Sequence, residues 1–353
     1  MSLQNFHKKL QFALDEKRPF VAYKLPNDNT FSLQIQKDDT LFTSENLGES
    51  GFVFAPFRSN EKKILMPFDD SDLERFELTS DFLKEDYQKS VFKTPVASLN
   101  KTDYIHLAKK AIHQIKAGAF EKVVLSRKIS LAQTDLDLKS VFIRLALKYT
   151  NAMTYFWHHP KVGTWLGATP EKLISLSDNC FETMALAGTQ LFKENEAQIW
   201  MQKEKDEQQI VVDYISKSLE SINIPAKLSK PFSLKAGQLT HICTEITGHL
   251  SINTNLLDLV KCLHPTPAVA GYPKQKAIDF ILENENYNRE FYTGYFGFIN
   301  KDKSSKLFVN LRCMQIEKKK LSVYVGGGIT KDSNPLNEWQ ETEDKSKTLL
   351  SVL

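Results

Sequence analysis

The chain has 353 residues, 41% of them hydrophobic, and carries 46 basic residues against 43 acidic ones for a net charge of +3. That is enough apolar material for one large core or two ordinary ones, and it excludes a disordered chain. The charge is spread without a dense Arg/Lys block, which argues against nucleic acid as a partner.

The amino terminus, MSLQNFHKKLQFALDEK, contains no apolar run of signal-peptide length, and nowhere do about 18 apolar residues follow one another. A soluble cytoplasmic protein with no membrane partner is expected. Residues 1 to about 95 mix short apolar runs (FVAYKL, GFVFAPF, KILMPF) with polar turns and read as strand-rich, closing with an acidic, loosely patterned segment. In KTDYIHLAKKAIHQIKAGAF, Ile105, Ala108, Ile112 and Ile115 form a helical stripe that ends at Gly118. The strand EKVVLSRKISL follows.

A helix near 137–149 precedes four strand-like runs, AMTYFWHH, TWLGA, EKLISLS and FETMALAGT. Residues 195–222 carry the longest helical pattern, with Ile199, Ile210, Val211, Tyr214, Ile215 and Leu219 on its candidate buried face. Further strands are read at HICTEITGHL, GYFGFIN, KLFVNLRCMQI and KLSVYVGGGI, and helices near 254–262, 274–284 and 337–351. Short turns such as KDKSS at 301–305 favour antiparallel pairing over a doubly wound sheet, so the expected class is α+β.

Cys180, Cys243, Cys262 and Cys313 lie far apart in apolar surroundings, which suits reduced core thiols. With no Cys-x-x-Cys and no zinc-type histidine spacing, any metal is expected to be a hard cation held by carboxylates.

Several charged residues admit two readings. Glu338, Glu341 and Lys345 leave one face of the last helix, either as a surface salt bridge or as the wall of a metal site. Glu207 lies beside the inward stripe of the long middle helix, where a carboxylate must be paired or coordinated. The glycines Gly326, Gly327 and Gly328 form either a plain turn or a backbone that approaches an anion. Arg312 interrupts an apolar run and needs a buried carboxylate or an anionic ligand, unless it faces outward. Lys122 opens a strand and Glu171 follows Pro170 at the start of another; each alone reads more readily as a solvated charge.

Taken in order, KVVLSR, WLGATPEKLISL, MALAGT, KEKDEQQIVVDYI, LHPTPAVAGYP, NREFYTGYFGF, LFVNLRCMQI and VGGGITKDSNPLNEWQETEDK resemble the chorismate-utilising enzymes over about 250 residues. That family includes anthranilate, aminodeoxychorismate, salicylate and isochorismate synthases, and the KVVLSR lysine and LHPTPA block make the chain most similar to the isochorismate synthases. The resemblance implies antiparallel β-sheets packed together with helices outside and a central cleft. Residues 1–95 are then a strand-rich part of the same fold, and 96–353 the chorismate-binding catalytic domain.

It further implies a magnesium-dependent isomerisation of chorismate, in which water adds at C2 and the C4 hydroxyl leaves, feeding menaquinone or siderophore biosynthesis. By resemblance Lys122 is the general base and Glu171 the general acid, so burial or charge should lower the lysine's pKa and raise that of the glutamate. Glu207 and Glu341 match Mg²⁺ ligands, with Glu338 acting through a bound water. Arg312, the glycines Gly326 to Gly328 and Lys345 match the carboxylate clamp, while Gly188, Thr189, His241 and Ala268 line the pocket. Gln190 and Gln208 depart from the residues common at their positions. Family members are often monomers, and with no Cys-His amidotransferase portion in the chain no such subunit is expected. A salicylate synthase shares the same machinery and is separated from this reading by the pocket around Ala268, Val269 and Tyr292. A catalytically silent chorismate-binding protein predicts loss of acid, base or metal ligands, and none is missing.

Overall fold

Side chains in a strand alternate between faces, so a strand buried on both faces must lie between two packed layers. Strands β1 (Phe20–Lys24) and β4 (Gly51–Ala55) are buried at every residue, and the architecture accounts for both. The structure is a computed structural model and describes residues 3–78, 95–98, 100–132, 136–192, 198–237, 239–251, 254–302 and 304–353. The part of the acidic segment between residues 79 and 94 lies outside the described residues.

The remaining early strands are β2 (Thr30–Gln36), β3 (Phe42–Ser44), β5 (Lys63–Pro67), β6 (Ser71–Glu77) and β7 (Pro95–Ser98). The middle of the chain supplies β8 (Lys122–Ala132), β9 (Met153–His159), β10 (Gly163–Thr169), β11 (Lys172–Ser177) and β12 (Cys180–Leu191). Then come β13 (Ala226–Leu228), β14 (Phe232–Ala236), β15 (Leu239–His249) and β16 (Gly271–Tyr272). The last four are β17 (Tyr295–Ile299), β18 (Ser305–Val309), β19 (Cys313–Glu317) and β20 (Lys320–Ile329).

The described strands form two ten-stranded antiparallel sheets. One runs β16-β8-β20-β19-β10-β9-β1-β2-β6, with β7 also on β8; the other runs β13-β15-β12-β11-β18-β17-β4-β5-β3, with β14 also on β15. The helices are α1 (Leu3–Asp15), α2 (Lys101–Lys116), α3 (Leu138–Lys148), α4 (Gln202–Ser221), α5 (Leu256–Leu263), α6 (Lys274–Asn284) and α7 (Pro335–Leu350).

Period-two alternation sorts the cores. Met153, Tyr155 and Trp157 of β9 join Phe52, Phe54 and Phe296 in an aromatic cluster between the sheets, where Phe54 stacks on Trp157 at 4.6 Å. Phe156 faces the other way, into a core shared with α1, α3 and the end of α7. On the outer face of the second sheet, Val211, Ile215 and Leu219 of α4 pack with Leu259 and Leu263 of α5.

The antiparallel α+β architecture is the one expected, and α2 stops at Ala117 followed by Gly118 with a left-handed φ of 78°. Four local expectations change. Helix α1 was not foreseen, although Phe6, Leu10 and Ala13 share one helical face and are wholly buried. Helix α4 begins only at Gln202, leaving Ile199 outside it and 76% exposed. The run LFVNLRCMQI is two strands in different sheets, since β18 lies in the second and β19 in the first. Between them Asn310 is wholly buried, accepting from the Tyr155 hydroxyl at 2.7 Å and donating to the Phe291 carbonyl at 2.9 Å, and Arg312 takes a left-handed φ of 46°. Finally, Cys180 is exposed at the start of β12 beside His249, while Cys243 and Cys313 are buried thiols as expected.

Candidate active site

Where the chain crosses between the sheets, backbone and side chains from both enclose a cavity. It is lined by Glu171, Gly188, Thr189, Glu207, His241, Ala268, Arg312, Gly326, Gly327, Gly328 and Lys345, all residues singled out from the sequence. Glu171 stands in the connection from β10 to β11, and Gly188 and Thr189 lie on β12 where its pairing with β15 shifts register between Ala187 and Gln190. Gly188 has a φ of 69°, and a side chain there would meet Glu204 of α4.

The cationic end rests on Arg312. Its Nη1 donates to the Ala236 carbonyl at 3.1 Å and its Nη2 to His241 Nε2 at 2.6 Å. Because guanidinium only donates, Nε2 must accept, so Nδ1 carries the proton and donates to the Gly188 carbonyl at 2.9 Å. Burial, with the charges of Arg312 and Lys345, holds His241 well below its usual pKa and therefore neutral. Burial also lowers Arg312 to about 10.

Glu171 is only 4% exposed. Burial pushes its carboxyl up to about 7, against the pull of Lys122, Lys345 and Arg312. It is thus protonated over a range in which an ordinary glutamate is ionised, as the resemblance required of it.

Lys122, at the start of β8, is wholly buried and faces Glu207 Oε1 at 3.0 Å. It is not on the cavity wall but directly behind it: a methyl at Gly328 would come within 3.1 Å of Lys122 Cε and would collide with the Glu207 carboxylate. Burial raises Glu207, but Lys122, Lys203 and Lys345 together hold it below the usual carboxylate range.

Glu338 and Glu341 lie one turn apart on α7 and line an adjoining groove that shares Thr189 with the cavity. Glu341 pairs with Lys345 at 2.7 Å, and the lysine also donates to the Gly326 carbonyl at 3.0 Å. Glu338 pairs with Lys203 of α4, a residue whose role sequence reading did not assign. The pattern of a salt bridge on the last helix and that of a wall beside the glycine run are therefore both present.

No three His, Cys, Asp or Glu side chains among the described residues already converge as a metal cage. The three glutamates are nevertheless gathered around the glycine run. A methyl at Gly327 would lie 3.6 Å from Glu341 Oε1 and 3.9 Å from Glu338 Oε2. Glu338 is 1% exposed, and burial together with Glu341 pushes its carboxyl up to about 7. Beside it the Tyr104 hydroxyl is buried without a hydrogen-bond partner, 3.7 Å from the same methyl position. An all-carboxylate donor set beside an unsatisfied hydroxyl suits a hard divalent cation carrying waters.

Tyr104 had no sequence signal: the stripe was read through Ile105, Ala108, Ile112 and Ile115, whereas the buried face of α2 runs through Tyr104, Leu107, Ala108, Ala111 and Ile115. Leu186, Thr293 and Tyr324 also line the cavity and were not foreseen, whereas Val269 and Tyr292 were.

A family model described as chorismate binding enzyme matches residues 56–353. The chain belongs to that family. It is 30% identical over 290 residues to the isochorismate synthase MenF of Bacillus subtilis (strain 168), a match spanning 78% of this chain and 60% of that protein. Against the isochorismate synthase EntC of Escherichia coli (strain K12) the identity is 29% over 266 residues, 71% of this chain and 67% of that one. The solved structure of DhbC from Bacillus anthracis superposes with a TM-score of 0.82 at 24% identity, covering 98% of this chain and 99% of that one, which establishes the shared fold.

Proposed function

We propose that the protein isomerises chorismate to isochorismate. One observation carries the reading: a carboxyl whose pKa burial raises to about 7 shares a cavity with an Arg–Lys cationic wall, and a buried lysine stands immediately behind it. Chorismate is a dicarboxylate, and Arg312, the Gly326–Gly328 backbone and Lys345 offer donors for its enolpyruvyl carboxylate.

In this reading Lys122 removes a proton from the water that adds at C2, and Glu171 gives its proton to the hydroxyl departing from C4. Proton transfer at both ends avoids a free hydroxide leaving group. His241, neutral and bonded at both nitrogens, orients Arg312 without adding charge. Glu207 and Glu341, with Glu338 through a water, are the residues that would hold Mg²⁺, whose charge would grip the ring carboxylate.

We place all of this on one domain, with residues 1–95 an integral part of the fold that carries 96–353. A cytoplasmic biosynthetic enzyme, monomeric and without an amidotransferase subunit, is consistent with it. The product would enter a menaquinone or siderophore pathway.

Incubation with chorismate and Mg²⁺ followed by product analysis tests the proposal. Accumulating isochorismate is the expected result. Salicylate with pyruvate in its place would move the assignment to a salicylate synthase, and binding of chorismate without turnover would make the protein a silent member of the family.

A further inference from the structure

The segment 264–269 walls two cavities. Ala268 and Val269 face the one described above, while His264 and Pro265 line a second, of about 390 Å³. Four cations surround this second space: Arg58, Lys63, Lys261 and Lys274. Glu61 is the one acidic residue in the lining, 3.8 Å from Arg58. Lys274 donates to the Lys261 and His264 carbonyls at 3.4 and 3.0 Å. Burial and then the neighbouring Lys261 hold Lys63 below its ordinary pKa.

His264 and Tyr295 stand inside, 4% and 3% exposed, with their rings edge to face at 5.0 Å. The Tyr295 hydroxyl is buried without a hydrogen-bond partner, while the Phe57 backbone stands beside His264 and favours its proton. Buried polar groups are almost always satisfied. An unmet donor on the buried Tyr295, inside a ring of like charges that repel one another, marks a place for oxygen atoms carrying negative charge.

We propose that this cavity binds a small polyanion bearing carboxylate or phosphate oxygens, and that its occupancy is coupled to the substrate cavity. Tyr295 O–H donates to the ligand, and the lysines balance its charge. Leu257, Val260 and Ile278 supply an apolar wall for a carbon body. The coupling has two physical routes, the 264–269 segment and the entry to β17, where Thr293 lines the first cavity and Tyr295 the second. Only the coupling rests on the proposed function; the binding site does not.

Calorimetric titration of the full chain with citrate and with inorganic pyrophosphate, at constant ionic strength, tests the site and separates the two sources of anion. One or both should bind with 1:1 stoichiometry. Lys63→Met combined with Lys261→Met should weaken that binding about tenfold or more, and Tyr295→Phe, which keeps the ring, should weaken it by a smaller factor. Chorismate affinity, measured by the same titration with and without saturating anion, should shift several-fold in the wild type and stay fixed in the double-lysine variant. No binding of either probe in the millimolar range, or equal affinity in the double variant, overturns the site. An unchanged chorismate affinity overturns the coupling. Since anion binding is read without turnover, its failure is distinct from failure of the isomerase reading.

Discussion

At the scale of single residues, the acid role proposed for Glu171 rests on a property that no local motif encodes. The dipeptide Pro-Glu before a strand is compatible with a solvated turn, and only the fold removes the carboxyl from water. Sequence reading reached Glu171 through resemblance, and the raised pKa supplies its physical basis. The shift is upward, so the protonated, proton-donating form persists to about pH 7, and kcat/KM should fall as pH rises through that value. Glu171→Gln should lower turnover by at least about 10² while leaving chorismate binding largely intact; a variant with near-native turnover would strip Glu171 of the role. Gly328 is the complementary case. Sequence reading offered it as a turn or an anion contact, whereas its missing Cβ is what leaves room for Glu207 at the wall and Lys122 behind it. Gly328→Ala should displace both groups and reduce turnover by on the order of 10², with circular dichroism confirming an unchanged fold.

At the scale of elements, α7 was the most legible and shows where legibility stops. Its start is written in Asn334 followed by Pro335: the asparagine side chain accepts from Leu336 N at 3.0 Å, and proline suits the first turn. The spacing of Glu338, Glu341 and Lys345 could be read directly. The partner Lys203 could not, because it comes from α4, far away in sequence. The split of LFVNLRCMQI was hidden for a similar reason, since both halves carry strand-like composition and only the packing of Asn310 reveals the crossing. Asn334→Ala should cost about 1 kcal/mol, read as a lowered denaturant midpoint with the slope unchanged. Glu341→Ala should instead leave that midpoint near wild type and abolish the Mg²⁺ dependence of the rate, which titration of metal against initial velocity would reveal.

At the scale of the whole molecule, the region in which sequence reading found no motif supplies strands to both sheets. Strand β1 pairs with β9 from Phe20↔His158 to Lys24↔Thr154, and β4 pairs with β17 from Tyr295↔Ala55 to Ile299↔Gly51. Early and late strands thus alternate in space, because antiparallel neighbours need not be neighbours in sequence. Strand character was legible from the FVAYKL and GFVFAPF runs, but strand order was not, since period-two alternation says which face is buried and not against which partner. It follows that 96–353 should not fold alone. Removing residues 1–95 would expose the edges of β9 and β17 and strip Phe52 and Phe54 from the cluster around Trp157 and Phe296. Open apolar edges of this kind template aggregation. The truncated chain should therefore be recovered as aggregate, or as a species without a cooperative unfolding transition. A soluble 96–353 fragment that unfolds cooperatively and binds chorismate would instead make the first 95 residues an appendage to a fold complete without them.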